Sequence, residues 1–402
     1  MLSNIVLSRC RLIVNRRKMS GTRSGYCQNL AWFMLKMALY GSWILGLFPF
    51  TFDSKRKQLR HSRWLFLYGF IGHSLLLCLL CFSKFESKEP GSLDSFQRNP
   101  MLARLHQQFG VITIFCAIFT HFMNLWGSKK VQEIANELLI LEYRDFHGLN
   151  INNSPKFYSC VIQKILTMMC QSLILFTFSL FHGNGFSKIF SFLSCLPLLD
   201  LQLIVMRFQI EILFVYRYVL MINRELVDLA SNIRLNPTAK SSRIRELAAL
   251  YNRLLKLNKK VVKAFDLQLN LILAEYLTYN IVILYFLIVL GISQNKQSFY
   301  FVAIPQVALN LWDFWLNIVV CDITEKAGGK TLAILKLFND LEHKDVELER
   351  SQLNEFAWLC SHRKFRFQLC GLFSINYNMG FQMIITSFLY LVYLVQFDYM
   401  NL

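Results

Sequence analysis

Residues 382–397 read QMIITSFLYLVYLVQF, a run without a single acidic or basic side chain. Gln382, Thr386, Tyr393 and Gln396 carry hydrogen-bonding groups and Leu389 stands between them, so the steps are four, three, four and three residues. Those steps keep all five on one narrow face of an α-helix, because 3.6 residues per turn bring i, i+3, i+4 and i+7 back into line. Most of the remaining surface is Ile, Leu, Val and Phe. A helix this apolar belongs in a membrane, and its one polar seam faces another helix or water rather than lipid. Two readings follow for the seam: a helix-to-helix contact, or the wall of a pore.

The rest of the chain agrees with a membrane setting. Hydrophobic residues make up 54% and aromatic residues 15%, including 36 Phe, which excludes an ordinary soluble protein of 402 residues. Crossing about 30 Å of hydrocarbon takes roughly 20 apolar residues. Eight stretches approach that length: 30–50, 64–82, 105–126, 160–181, 189–215, 267–290, 299–320 and 374–397.

Charge sets the topology. The formal charge of +18 would suggest nucleic acid in a soluble chain, but here Lys and Arg gather between the apolar runs, as in cytoplasmic loops, and no nucleic-acid partner is expected. Basic residues flank 30–50 on both sides, so that stretch is expected to lie on the inner interface without crossing. Seven crossings remain. With the amino terminus inside and the carboxy terminus outside, 34 of the 43 Lys and Arg fall in cytoplasmic segments (1–29, 51–63, 127–159, 216–266 and 321–373) and six in outer ones. The proline-free glycosylation sequon, Asn152-Asn153-Ser154, then lies in the cytoplasm. Arg9, Arg11, Arg16, Arg17 and Lys18 interrupt any leader-like apolar run, so no cleavable signal is expected.

The expected organisation is all-α. It comprises a cytoplasmic segment 1–63 holding the interfacial helix 30–50, six crossings over 64–320, cytoplasmic anchor helices over 321–373, and a last helix with a short outer end over 374–402. Long inner extensions cover 127–159 and 216–266. Within 243–265, Leu247, Leu250, Leu254, Leu257 and Val261 recur at helical spacing, as do Leu348, Leu353, Phe356, Leu359 and Cys360 within 345–367. Both read as amphipathic helices packing on each other below the membrane. Asn236-Pro237-Thr238 and Gly328-Gly329 read as turns or linkers. The eleven cysteines form no disulfide framework, and neither Cys78-x-x-Cys81 nor any His/Cys pair has metal-site partners nearby in sequence; no metal or cofactor is expected.

Tyr390, five intervening residues, then Gln396 and Phe397 resemble the carboxy-terminal signature of the insect gustatory receptor family, Thr-Tyr followed by five apolar residues and Gln-Phe; Leu389 replaces the Thr. The resemblance extends to the architecture of the whole chain and is strongest to bitter-type members. It implies a taste receptor that is a ligand-gated, non-selective cation channel of four subunits, alike or mixed with other gustatory receptors, in the plasma membrane of gustatory neurons. Its partners are then small-molecule tastants, monovalent and divalent cations and membrane lipids. The seventh helix of each subunit would line the pore, with Gln396 and Phe397 near its narrowest point, and Gln382, Thr386, Leu389 and Tyr393 along the wall. A ring of apolar side chains closes a pore by expelling water, and amides beside it replace part of an ion's hydration. Tyr390 shares a face with Phe397 and is placed to couple helix tilt to the gate.

A ligand site is expected where the outer halves of the crossings converge. Candidates are Phe176 and Phe181 in the third crossing, Phe190 and Phe192 in the fourth, Asn280 and Tyr285 in the fifth, and Tyr300, Phe301, Gln306 and Asn310 in the sixth. Aromatics with a few amides suit small, fairly apolar molecules better than sugars. Of the intramembrane charges, Arg207 and Glu211 have the spacing of a local ion pair, while Glu275 and Asp313 have no partner identifiable from sequence. An odorant receptor of the same superfamily is the nearest alternative. A G-protein-coupled receptor would want an outside amino terminus and an Asn-Pro-x-x-Tyr run, both at odds with this chain. No enzyme motif is present.

Overall fold

The computed structural model describes residues 22–53, 56–86, 100–146, 154–181, 186–231, 237–292, 297–340, 347–371 and 373–401. Helix α1 (Thr22–Ile44) leads into an antiparallel hairpin of β1 (Phe50–Asp53) and β2 (Gln58–His61), with Phe50 opposite His61. Then come α2 (Arg63–Glu86), α3 (Pro100–Trp126), and α4 (Ser128–Ile140), which ends in a π-turn at Leu141–Asp145. The long helices α5 (Pro155–Phe181), α6 (Phe186–Ser231), α7 (Pro237–Ile292) and α8 (Gln297–Asp340) follow. After α9 (Glu347–His362), a second hairpin of β3 (Gln368–Leu369) and β4 (Phe373–Ser374) precedes α10 (Tyr377–Asn401). The two hairpins are the departure from an all-helical chain, and the first helix spans 22–44 rather than 30–50. The sequon at Asn152 lies outside the described residues.

Among the described residues, six helices are long and apolar enough to cross a membrane: α2, α3, α5, α7, α8 and α10. The expected fourth crossing, 189–215, is the first half of α6 and carries Asp200, Arg207 and Glu211. Several helices run far beyond their apolar stretch. Helix α7 begins 30 residues before 267, with Pro237 at its first position, where the missing N–H costs nothing. Helix α8 continues through Gly328-Gly329, which form no turn. A methyl group on Gly328 would stand 2.6 Å from Phe365 Cδ2, so the glycine serves close packing instead.

A large share of the buried core lies in these extensions, where the sequence is rich in Lys and Arg. Leu247, Leu254, Leu257 and Val261 of α7 are buried with Ile222 and Leu226 of α6 and with Leu353 and Phe356 of α9. Tyr251 meets Phe356 and Phe365 edge-on at 5.5 and 5.4 Å. In water such burial is worth about 1.5–3 kcal/mol per large apolar side chain, a gain that lipid does not offer to helices packing within it. One buried cation ties this body to α1: Arg217 sits 5.6 Å from the Trp32 ring and 5.5 Å from Phe157, and pairs with Glu142 at 3.2 Å.

Candidate functional site

Helix α10 starts on a side-chain cap, the Met379 N–H donating to Asn376 Oδ1 at 2.9 Å. Its first turns are pinned to α8. The Tyr377 and Trp315 rings lie 5.3 Å apart, and a methyl on Gly380 would stand 2.3 Å from Ile318 Cδ1. Further along, Leu391 is buried in a cluster with Val282, Tyr285 and Phe286 of α7 and Leu102 of α3. Beyond the first turn, the packed positions of α10 are Met383, Ser387, Leu391, Leu394, Val395 and Asp398, one stripe along the helix.

The polar seam lies on the other side. At about 100° per residue, Gln382, Thr386, Leu389, Tyr393 and Gln396 centre roughly 150° from the packed stripe. All five are exposed, as are Tyr390 and Phe397. Tyr393 stacks on Phe397 with ring centroids 6.3 Å apart. Only 11% of the apolar window of α10 is buried within the chain, against 56% for α8. A greasy helix so weakly covered by its own chain presents the rest of its surface to lipid or to other subunits.

Helix α8 carries a second polar seam, and this one is sealed inside. Asn310 Oδ1 accepts from Gln171 Nε2 at 2.8 Å and from Gln306 Nε2 at 3.2 Å, while Asn310 Nδ2 donates to Asn280 Oδ1 at 3.4 Å. One turn on, Lys164 Nζ lies 2.5 Å from Asp313 Oδ1. Asn317 Oδ1 accepts from Gln209 at 2.6 Å. These bonds join α5, α6, α7 and α8 at depths where an orphaned polar group is costly. Beside the amides, Cys170, Leu173, Ile174, Pro305, Ala308 and Leu309 line an apolar hollow of about 510 Å³ that opens to the surface.

Of the expected ligand residues, Asn280, Gln306 and Asn310 come together, joined by Gln171, which sequence reading missed. Tyr285 does not join them; it is buried toward α3 and α10. Phe301 also leaves the group and is 80% exposed. Both lie five residues from an amide, Tyr285 from Asn280 and Phe301 from Gln306, and five residues turn a helix by about 140°. Phe176 packs against Phe192 at 4.6 Å between α5 and α6. The side chains of Phe181, Phe190 and Tyr300 lie outside the described residues. The expected partners Arg207 and Glu211 attract one another without a direct ion-pair contact: the guanidinium instead donates to Asn124 Oδ1 at 2.6 Å and to the Leu47 carbonyl at 3.4 Å. Glu275 Oε1 accepts from Thr113 Oγ1 at 3.4 Å.

Comparison with known proteins places this architecture. The family model described as 7tm Chemosensory receptor matches residues 35–401. Gustatory receptor 22f of Drosophila melanogaster is 56% identical over 96% of this chain and the whole of that protein. The gustatory receptor for bitter taste 22e of the same species is 37% identical over 94% of this chain and 98% of its own length. The solved insect olfactory receptor OR5 of Machilis hrabei superposes with a TM-score of 0.62 at 11% identity, covering 92% of this chain and 99% of that one. These relatives are chemosensory receptors and not enzymes. The chain belongs to the 7tm chemosensory receptor family, on its gustatory-receptor branch.

Proposed function

We propose that this chain is one subunit of a tetrameric, ligand-gated, non-selective cation channel opened by small organic tastants of the bitter class. The observation that carries the reading is the exposed seam of α10, whose amides and hydroxyls are useless against lipid and serviceable beside water. Four such helices around an axis, with Gln396 and Phe397 at the constriction, give hydrated walls and an apolar gate. Gln382, Thr386, Leu389 and Tyr393 continue the wall, and Tyr390, beside Phe397, transmits movement of the bundle to it.

The topology follows the charge: amino terminus and the segments 127–159, 216–266 and 321–373 in the cytoplasm, crossings over 64–320, and α10 running outward to an extracellular end, in the plasma membrane of gustatory neurons. The interfacial segment before residue 63 stays on the inner face. The tastant binds near Gln171, Asn280, Gln306 and Asn310, with the Phe176–Phe192 pair supplying apolar area nearby; Tyr285 and Phe301, turned away from the amides, fall outside this site. The open hollow beside the amides is lined almost wholly by apolar side chains and suits a small, predominantly apolar molecule. The same olfactory receptor has been solved in complex with eugenol, a small phenol, and one relative is named for bitter taste.

The test is ligand-evoked cation current from this chain, alone and with co-expressed relatives, in cells lacking G-protein signalling, under a panel of bitter compounds. Gln396→Ala and Phe397→Ala should change permeation or leak current. Wild-type conduction in both variants would remove the pore from α10.

A further inference from the structure

Three buried side chains that no part of this reading uses meet at one point of the bundle. His73 comes from α2, His121 from α3 and Asp200 from α6, at 2%, 2% and 0% exposure. His73 Nδ1 lies 3.2 Å from Asp200 Oδ2, and His121 Nε2 lies 3.6 Å from the same oxygen. One ligand atom from each residue falls within 4.8 Å of the other two. The imidazole rings are 4.5 Å apart and tilted by 34°.

Hydrogen bonding within the triad does not account for it. Asp200 faces His73 and the Pro197 carbonyl faces His121, yet none of the six side-chain polar atoms makes a hydrogen bond of good geometry among the described residues, and only the His73–Asp200 pair stands within hydrogen-bond distance. The spacing matches a shared ion: with bonds of about 2.0–2.1 Å, the edge of a tetrahedral site is about 3.3–3.4 Å, between the two nitrogen-to-oxygen separations. The carboxylate also lacks another counter-charge at hand. Arg207, two turns further along α6, is taken up by Asn124 and the Leu47 carbonyl. A buried carboxylate and two buried imidazoles so weakly hydrogen-bonded to one another suit a water or an ion between them.

We propose that His73, His121 and Asp200 form a binding site for a divalent transition metal of the Zn²⁺ class, coordinated through His73 Nδ1, His121 Nε2 and Asp200 Oδ2. Two imidazoles and one carboxylate are a borderline-soft donor set with a fourth position left for water. The three ligands come from three separate helices, so the ion ties α2 and α3 to α6. That tie works inside lipid, where apolar packing supplies little force to hold helices together. The inference is independent of whether α10 lines a pore.

The test is metal content of the full-length protein, purified in detergent without a polyhistidine tag from zinc-supplemented cells. Elemental analysis should find about one zinc per chain, falling at least about tenfold in Asp200→Asn and in the double variant His73→Ala/His121→Ala. Because those variants can fail to fold, wild-type protein exchanged with Co²⁺ gives a second reading. Visible ligand-field bands typical of tetrahedral nitrogen and oxygen donors are expected, bleached by added Zn²⁺. Monodisperse wild-type protein that retains less than about 0.1 zinc per chain and develops no such bands overturns the proposal and leaves a hydrated His–Asp cluster.

Discussion

Lys164 of α5 and Asp313 of α8 lie 2.5 Å apart, nitrogen to oxygen, with side-chain exposures of 3% and 1%. Sequence reading identified Asp313 without its partner, because the two stand 149 residues apart. Removing one member strands a charge in a dry interior, at a cost of about 3–5 kcal/mol. Lys164→Met and Asp313→Leu should each sharply lower surface expression and thermal stability in detergent. The double variant should recover a large part of the loss, which a thermal-shift series on the three proteins would measure.

The amide group ranks its own members. Asn310 makes three side-chain bonds, two of them to other helices, whereas the single bond of Gln306 goes to Asn310 within α8. Interhelical bonds in membranes are worth about 0.6–1.7 kcal/mol each. Asn310→Leu should therefore destabilise the detergent-solubilised protein more than Gln306→Leu. An equal effect of the two would mean that the network does not hold the helices.

Solvent access along α10 should follow its two faces. Single cysteines placed at Gln382, Thr386, Leu389 and Tyr393 should react with a water-soluble thiol reagent in a ligand-dependent way, while Leu391→Cys on the packed stripe should not. Labelling rates in a background free of reactive native thiols give the pattern. Uniform protection of the seam would place it against lipid or another helix.

Gly380 sets how closely α10 approaches α8. Alanine there is tolerable if Ile318 rotates, since the clash is with the end of that side chain. Gly380→Ile leaves no such escape, because Trp315 Cζ3 also lies 3.4 Å from the added atom. Overpacking of this kind costs about 1–3 kcal/mol, and a thermal-stability comparison should put Ile well below Ala.

Cys360 in α9 is buried, and that burial pushes its thiol up to about 12. A raised thiol pKa leaves less thiolate at a given pH, here roughly one part in 10⁴ at pH 8. Exposed Cys27 should thus alkylate at least about a thousandfold faster than Cys360, with the difference vanishing on denaturation; site-resolved mass spectrometry after timed alkylation checks it.

Six of the seven expected crossings coincide with helices long and apolar enough to span a membrane, a pattern legible in sequence because in lipid every backbone polar group must be satisfied within the segment and only long apolar helices manage it. Where the helices end was not legible. Hydropathy marks where lipid stops, whereas the helical ladder continues until a real breaker, so 267–290 proved to be the end of Pro237–Ile292 and Gly328-Gly329 did not break the helix. The short strands at Phe50–Asp53 and Gln58–His61 were hidden because four residues carry too little pattern. Their pairing leans on a distant helix, the Leu59 N–H donating to Asn136 Oδ1 at 2.7 Å.

The same limit governs the site. Gln306, Asn310, Asp313 and Asn317 stand at steps of four, three and four, matching the first steps of Gln382, Thr386, Leu389 and Tyr393. Sequence by itself determined that each set shares one helix face, since the turn of the α-helix is fixed by the backbone. Only the tertiary structure decided that the first face is sealed against Gln171, Lys164 and Gln209 while the second stands exposed, and that His73, His121 and Asp200 converge. A helix's rotation about its own axis is set by the neighbours it packs against, and those neighbours lie far away in the chain.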